Sequence, residues 1–451
     1  MKKEDIKSDN VEISYGYSDL RLEKRLVKIV NSLKESDLTQ SFPKIFSKYP
    51  LKAFYSLMEH PQTNHHDLTQ YFCRKNLSTI GNESCYYLIQ DTTEISLDKF
   101  VKGAGVLGEG TGNGVYLHNG LLVNMQGLPI SLVHQFVINR EKKDFGKAQL
   151  RKQKSFESKE SFKWAAGLIA GYELCQTKNI QLIHIMDREG DCVDVFNYAQ
   201  EYQQSLIVRS VHDRKIENSE TINKLWDVSN YENYIFCYRE LPDAKKQKKQ
   251  VKCRISWQKV ELKGADAPLY AVHIQSIEVD FDVSWLLLTN KEVIDEQMAL
   301  FIVDSYVFRW LIEEFHKCLK SGCKVEERRF DDIETYMNCG SLLSQNALNL
   351  LKIKALSIAE PETEMKTNLS QEEINLLDKL AAKYLRPKDK SNLIPFTNIW
   401  FITIIATMGG FLSGKNRKPG WSILWCGYQK YLKILEGFLI ASNLSVETNS
   451  A

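Results

Sequence analysis

The sequence has almost no net charge. Its 59 Lys and Arg nearly balance 57 Asp and Glu, leaving a formal +2 over 451 residues. That excludes an overall basic coat of the kind many nucleic-acid binders carry. There is no C-x-x-C pair and no regular spacing among the ten cysteines, so neither a zinc site nor a disulfide framework is expected. The polar start, MKKEDIKSDN, has no apolar core of a secretory leader. The longest apolar stretch, Ile399 to Leu412, is interrupted by Thr403, Thr407, Gly409 and Gly410 and falls short of the roughly 18–20 residues a bilayer demands. No internal repeat or long low-complexity tract is present. These absences predict a cytoplasmic protein with reduced thiols and no membrane partner.

What remains is an ordinary globular composition, 43% hydrophobic and 26% charged, in a chain long enough for two or three domains. Charge is concentrated locally. Lys142, Lys143, Lys147, Arg151, Lys152 and Lys154 form one basic run; Lys245, Lys246, Lys248, Lys249, Lys252 and Arg254 form another. Each reads equally well as a solvated loop or as a surface for phosphates.

Residues 15–80 read as helical. Leu22, Leu26, Ile29, Val30 and Leu33 recur at helical period, with Ser18 or Asp19 as cap and Arg21, Lys24 and Arg25 on the other side. The middle is strand-rich. CYYLIQD (85–91) and QLIHIM (181–186) are short apolar runs that lead directly into aspartates, Asp91 and Asp187. Two more strands are expected within 114–139, a helix at 160–175 and a strand at 205–211. A β-rich stretch over 212–290 looks like an insertion, and helices run from Val303 nearly to the end. That order suits a mixed α/β core.

An aspartate closing a buried strand is held rigidly at a sheet edge, a common way to build a site; more often it is a turn or a cap. The segment VDSYVFRWLIEEFHKCLKSG is more specific. At about 100° per residue, Tyr306, Arg309, Glu313, Lys317 and Lys320 share an arc of about 80° on one continuous helix. Val307, Phe308, Leu311, Ile312, Phe315 and Leu319 then form the core side, and Gly322 ends the helix. An exposed face laced with Glu–Lys pairs fits part of this pattern. It does not call for a Tyr, an Arg and two Lys in register with the acid.

These residues resemble the Y-x2-R-x3-E-x6-K signature of the insertion-sequence-four group of bacterial DDE transposases. Here the match is Tyr306, Arg309, Glu313 and Lys320. The contexts QDTTE around Asp91 and MDREGD around Asp187, and WLLLT at Trp285 to Thr289, are similar to that group, as are VRS at 208–210 and GGF at 409–411. The resemblance implies a ribonuclease H-like catalytic domain over 76–340 with the β insertion at about 212–290. It also implies an N-terminal helical DNA-binding region (1–75) and a C-terminal helical dimerisation region (341–451).

By the same resemblance Asp91, Asp187 and Glu313 form the catalytic triad. They would hold two Mg²⁺ or Mn²⁺ ions, with Asp91 shared between them, since all-oxygen ligands suit those hard ions. The expected substrate is double-stranded DNA, both transposon ends and target, handled by a nucleoid-associated homodimer. Nicking, hairpin formation, hairpin opening and strand transfer would follow. Arg309, Lys317, Lys320 and Tyr306 would contact phosphates. Trp285, and also Trp310, would stack on a base turned out of the duplex. Arg209, His212, Arg214, Arg21 and Arg25 are further expected DNA contacts, and Arg188, Glu189 and Asp191 are candidates for ordering Asp187. The alternatives are a ribonuclease H-like nuclease without strand transfer, an inactive DNA-binding inhibitor of transposition, and a small-molecule phosphohydrolase.

Overall fold

The structure, a computed structural model, describes residues 19–449 apart from 35, 79, 82, 109, 142–153, 219–220, 243–247, 279, 282, 366–368 and 413–418. Ser18, most of the first basic run and Lys245–Lys246 of the second lie outside the described residues.

Four helices come first: α1 (Leu20–Lys34), α2 (Phe42–Ile45), α3 (Lys48–Met58) and α4 (His65–Leu77). Asp19 caps α1, its Oδ1 accepting the Arg21 N–H at 2.8 Å. The α1 face predicted from periodicity is the buried one, with Leu22, Leu26, Ile29 and Leu33 in the core.

Strands β1 (Cys85–Ser96), β2 (Gly105–Leu107), β3 (Gly112–Asn124) and β4 (Pro129–Ile138) follow. Then come α5 (Phe162–Lys178), β5 (Gln181–Met186), α6 (Val193–Glu201) and β6 (Ser205–Arg209). The stretch read as an insertion holds a separate hairpin, β7 (Lys215–Asn218) with β8 (Thr221–Lys224), and the long strands β9 (Asn233–Pro242), β10 (Lys248–Val260), β11 (Leu269–Ser276) and β12 (Ser284–Thr289). The long strands do not form a sheet of their own. β12 pairs with β6, so one ten-stranded sheet runs β2-β3-β1-β5-β6-β12-β11-β10-β9, with β4 also on β3. Among the described strands, β1–β5 and β5–β6 are the parallel pairs of this sheet. The fold is thus mixed α/β.

Helices α7 (Glu296–Val307), α8 (Trp310–Lys317) and α9 (Ile333–Ala359) lie on one face of this sheet. α10 (Gln371–Tyr384), α11 (Pro387–Asn392), α12 (Asn398–Met408) and α13 (Trp421–Asn449) complete the chain. The largest core joins α1, α3 and α4 to the odd-numbered side chains of β1 and β5 and to α7–α9, through Leu26, Phe54, Ile89, Ile185, Ile302, Phe315 and Leu342. α5 and α6 cover the opposite face. α10, α12 and α13 close a further core around Leu377, Ile404 and Ile405. The boundaries expected at residues 75 and 341 both fall inside helices, α4 and α9. Among the described residues no helix is long and apolar enough to cross a membrane.

Candidate functional site

Asp91 is not at the end of its strand. β1 continues to Ser96, because its antiparallel pairing with β3 persists to Ser96↔Gly114. What ends near Asp91 is the parallel partner: β1–β5 pairing stops at Ile89↔Ile185. Two residues further in the same register, Asp91 stands beside Asp187. β5–β6 pairing runs to Met186↔Val208, so the next step sets Asp187 beside Arg209, which itself pairs with Leu287 of β12. Neighbouring strands are about 4.8 Å apart, and alternate residues share a face. One cross-strand row therefore delivers Asp91, Asp187 and Arg209 to the face covered by α7 and α8.

Local hydrogen bonds hold both acids. The Thr92 N–H donates to Asp91 Oδ1 at 2.7 Å. Asp187 caps the short helical turn Arg188–Gly190, accepting the Glu189 N–H at 2.9 Å. Asp191, at the end of that turn, is buried. It accepts the Val211 N–H at 2.8 Å and the His212 N–H at 3.1 Å, and it pairs with the Arg214 guanidinium. Arg214 therefore pins the loop after β6 to the turn after Asp187, rather than standing open to a phosphate. Of the three residues considered for ordering Asp187, Glu189 does so through its backbone, while its side chain meets Lys163 at 2.9 Å.

The third acid comes from the helical segment, which departs from the expected single helix. α7 starts at Glu296, where Asp295 accepts the Met298 N–H at 2.8 Å, and it stops at Val307. Through the break the backbone bonds run three residues back, Phe308 N–H to Ser305 and Arg309 N–H to Tyr306. Later, Cys318–Gly322 forms a π turn, with the Cys323 N–H bonded five residues back to Cys318. The first irregularity overwinds the helix and the second underwinds it. The break turns Val307 outward, to 49% exposure, and buries Tyr306, the reverse of the single-helix expectation. The left-handed residue that closes the segment is Lys324, with φ +52°, not Gly322.

Despite the break, the signature residues converge. A cleft of about 520 Å³ is lined by Asp91, Asp187, Glu313, Arg209, Tyr306 and Arg309, with Arg188, Lys317, Lys320 and others completing the wall. Arg309 lies among the acids, its Nη2 2.5 Å from Glu313 Oε1 and its Nη1 3.7 Å from Asp91 Oδ2. Burial, then the charge of Asp187, pushes the Asp91 carboxyl up to about 7. Burial also raises Asp187. Burial of two neighbouring carboxyl groups thus works against both being ionised, and the nearby Arg309 charge only partly offsets it.

Trp285, Trp310, His212, Arg21 and Arg25 lie outside this lining. Trp285 is half-buried at the edge of β12, packed edge-to-face on Tyr306 at 5.5 Å between ring centroids. Trp310 is 53% exposed, with the Arg309 guanidinium 5.3 Å and Lys317 Nζ 6.0 Å from its ring centre. His212 is exposed beside Asp191. Arg21 pairs with Asp19 at 3.2 Å, and Arg25 is half-buried on α1. Lys320 reaches Glu326 at 3.4 Å.

Sequence reasoning missed Thr92, Ser321 and His316, which also line the cleft. Asn119 Nδ2 donates to His316 Nε2 at 3.0 Å, which places the imidazole proton on Nδ1. Burial, then Lys320, pushes the His316 pKa down to about 3, so the ring is neutral. Its spacing, between Glu313 and Lys317 on one helix, was the available signal.

The acids supply only oxygen donors, which fits a hard divalent cation. Yet among the described residues no group of three His, Cys, Asp or Glu side chains is arranged to hold an ion. Arg309 stands where positive charge is wanted. Compared with models of known protein families, the chain matches none.

Proposed function

We propose that this chain is a DNA transposase with a ribonuclease H-like core, cutting and joining phosphodiester bonds at the cleft between the Asp91–Asp187–Arg209 row and α8. The observation that carries this reading is the convergence of three acids, distant in sequence, with the cations of the signature helix in one cleft. The mixed sheet is compatible with it: in β4-β3-β1-β5-β6 the strands pair antiparallel on one side of β1 and parallel on the other. A small phosphate ester would not explain cations spread from Arg209 to Lys320.

Asp91, Asp187 and Glu313 are the residues that would hold Mg²⁺ or Mn²⁺, once Arg309 releases Glu313. Such ions neutralise charge at the phosphorus centre and promote loss of the attacking oxygen's proton at neutral pH. The chain's own groups account for the rest. Arg309, freed from Glu313, binds a phosphate through two parallel N–H bonds. Lys317 and Lys320 hold the neighbouring phosphates of the strand. Tyr306, buried under Trp285, fixes the cleft wall from which Arg309 projects. Trp310, exposed and flanked by two cations, offers its ring to a base displaced from the duplex.

The test is incubation of the protein with the DNA flanking its gene and Mg²⁺, followed by a denaturing gel. Cut ends joined to a second DNA are the expected products, and Glu313→Ala removes them while DNA binding persists. Cutting without joining would assign the cleft to a hydrolytic nuclease instead. An unimpaired Glu313→Ala enzyme would overturn the triad.

A further inference from the structure

The far edge of the sheet carries a second surface that the cleft does not use. On β9, Tyr234, Phe236 and Tyr238 alternate along one face and are 53%, 53% and 66% exposed. Their partners across the pairing with β10 and β11 form three rows: Tyr238–Lys252–Ile277, Phe236–Arg254–Gln275 and Tyr234–Ser256–His273. The first two rows are open to solvent, and Ser256 and His273 floor the third. Lys252 Nζ sits 4.8 Å from the Phe236 ring centre, and the Arg254 guanidinium 4.5 Å from that of Tyr234. Arg254 Nε is buried without a hydrogen-bond partner. The intervening odd-numbered residues of β10, Val251, Cys253 and Ile255, are fully buried on the opposite face. This side is therefore presented outward by a firm platform.

We infer that this face of β9 and β10 binds an unpaired nucleic-acid strand, its bases stacking on Tyr234, Phe236 and Tyr238 and its phosphates meeting Lys252 and Arg254. Three exposed rings in a row would be a liability on a surface with no partner. Cations placed against the rings fit a ligand that is both aromatic and anionic, and suit an apolar protein partner poorly. The spacing selects single strands. The Tyr234 and Phe236 rings stand edge-to-face with their centroids 5.7 Å apart, wider than the roughly 3.4 Å between stacked bases, so a base lying on either ring is already parted from its neighbour. Gln275, exposed at the end of the Phe236–Arg254 row, supplies an amide for a base edge. Glu240 and Glu278 bound the patch at its end, and Glu278 accepts the Lys252 backbone N–H at 2.9 Å.

The inference is independent of cutting, and its test uses a ligand without ends to recognise. A 15-mer of deoxythymidine carrying 5-iodouracil is irradiated with the full-length protein, and the crosslinked peptides are mapped. Crosslinks at Tyr234, Phe236 or Tyr238 are expected, unchanged in a Glu313→Ala protein. Crosslinks confined to other peptides, or none, overturn the proposal. In parallel, fluorescence anisotropy compares the wild type with Tyr234→Ala/Phe236→Ala/Tyr238→Ala and with Lys252→Gln/Arg254→Gln. Each is expected to bind the oligonucleotide roughly tenfold more weakly or worse, with little change for the corresponding duplex. Equal affinities, or a wild-type dimer that dissociates in the ring variant with oligonucleotide affinity intact, would assign the face to self-association instead.

Discussion

Burial and the neighbouring charge of Asp187 hold the Asp91 carboxyl at about 7, against 3.8 for an ordinary aspartate. A carboxyl raised on folding binds its proton more tightly in the native state than in the unfolded one. The native fold is favoured most below pH 3.8, and that advantage is lost as pH rises through about 7. With the side chain only 16% exposed, the loss amounts to roughly 2–4 kcal/mol. Asp91→Asn is therefore expected to melt higher than the wild type at pH 8, with the gain shrinking towards pH 4. Thermal melts across that range check it, and a difference that stays flat with pH would show that Asp91 is not strained by ionisation. The same imbalance predicts a response to metal. Millimolar Mn²⁺ at pH 8 should raise the wild-type melting temperature, because an ion that binds only the folded state stabilises it. It should leave Asp187→Asn unmoved. An identical rise in both proteins would place the ion elsewhere.

At the scale of elements, the break between α7 and α8 decides how the acids meet. Phe308, inside the break, packs at a tilt against Tyr87, 5.3 Å between ring centroids, and lies over Gly127 in the turn between β3 and β4. Gly127 has φ +88°, and a Cβ there would come within 2.5 Å of the Phe308 ring. Gly127→Ala should thus destabilise the fold by about 1–3 kcal/mol, read by urea unfolding. It should also lower DNA cleavage further than that loss explains, at a temperature where both proteins are folded. Unchanged cleavage would mean that the break does not set the position of Glu313. This break is also where sequence reading fell short. Periodicity located α1, β5 and the acids themselves, since these depend on local apolar spacing. It could not show that Tyr306 turns inward and Val307 outward, because the packing at the break involves Tyr87 and Gly127, far away in the chain. Likewise, CYYLIQD gave a strand ending at Asp91, whereas pairing with β3 carries β1 on to Ser96. Arg214 read as an exposed cation only because the buried Asp191 that claims it is twenty-three residues earlier.

For the whole molecule, the near-neutral charge ceases to oppose DNA binding once its distribution is considered. Arg188, Arg209, Arg309, Lys317 and Lys320 share one cleft wall, while many of the balancing acids are spread elsewhere over the chain. These cations are not equivalent. Arg309 must leave Glu313, and Lys320 must leave Glu326, before either can meet a phosphate; Lys317 rests on Trp310 at the mouth of the cleft. Each phosphate contact releases condensed counterions and adds about 0.9 to the slope of log affinity against log salt for duplex DNA. Lys317→Ala should accordingly weaken binding and flatten that slope by about 1. Lys320→Ala should flatten it as much but weaken binding less, because the wild-type lysine gives up Glu326 on contact. Lys383→Ala, on α10 in the separate C-terminal core, should change neither. Filter binding between low and moderate salt measures all three. If the three variants kept the wild-type slope, DNA would not enter this cleft, and the cations there would serve only to balance the buried acids.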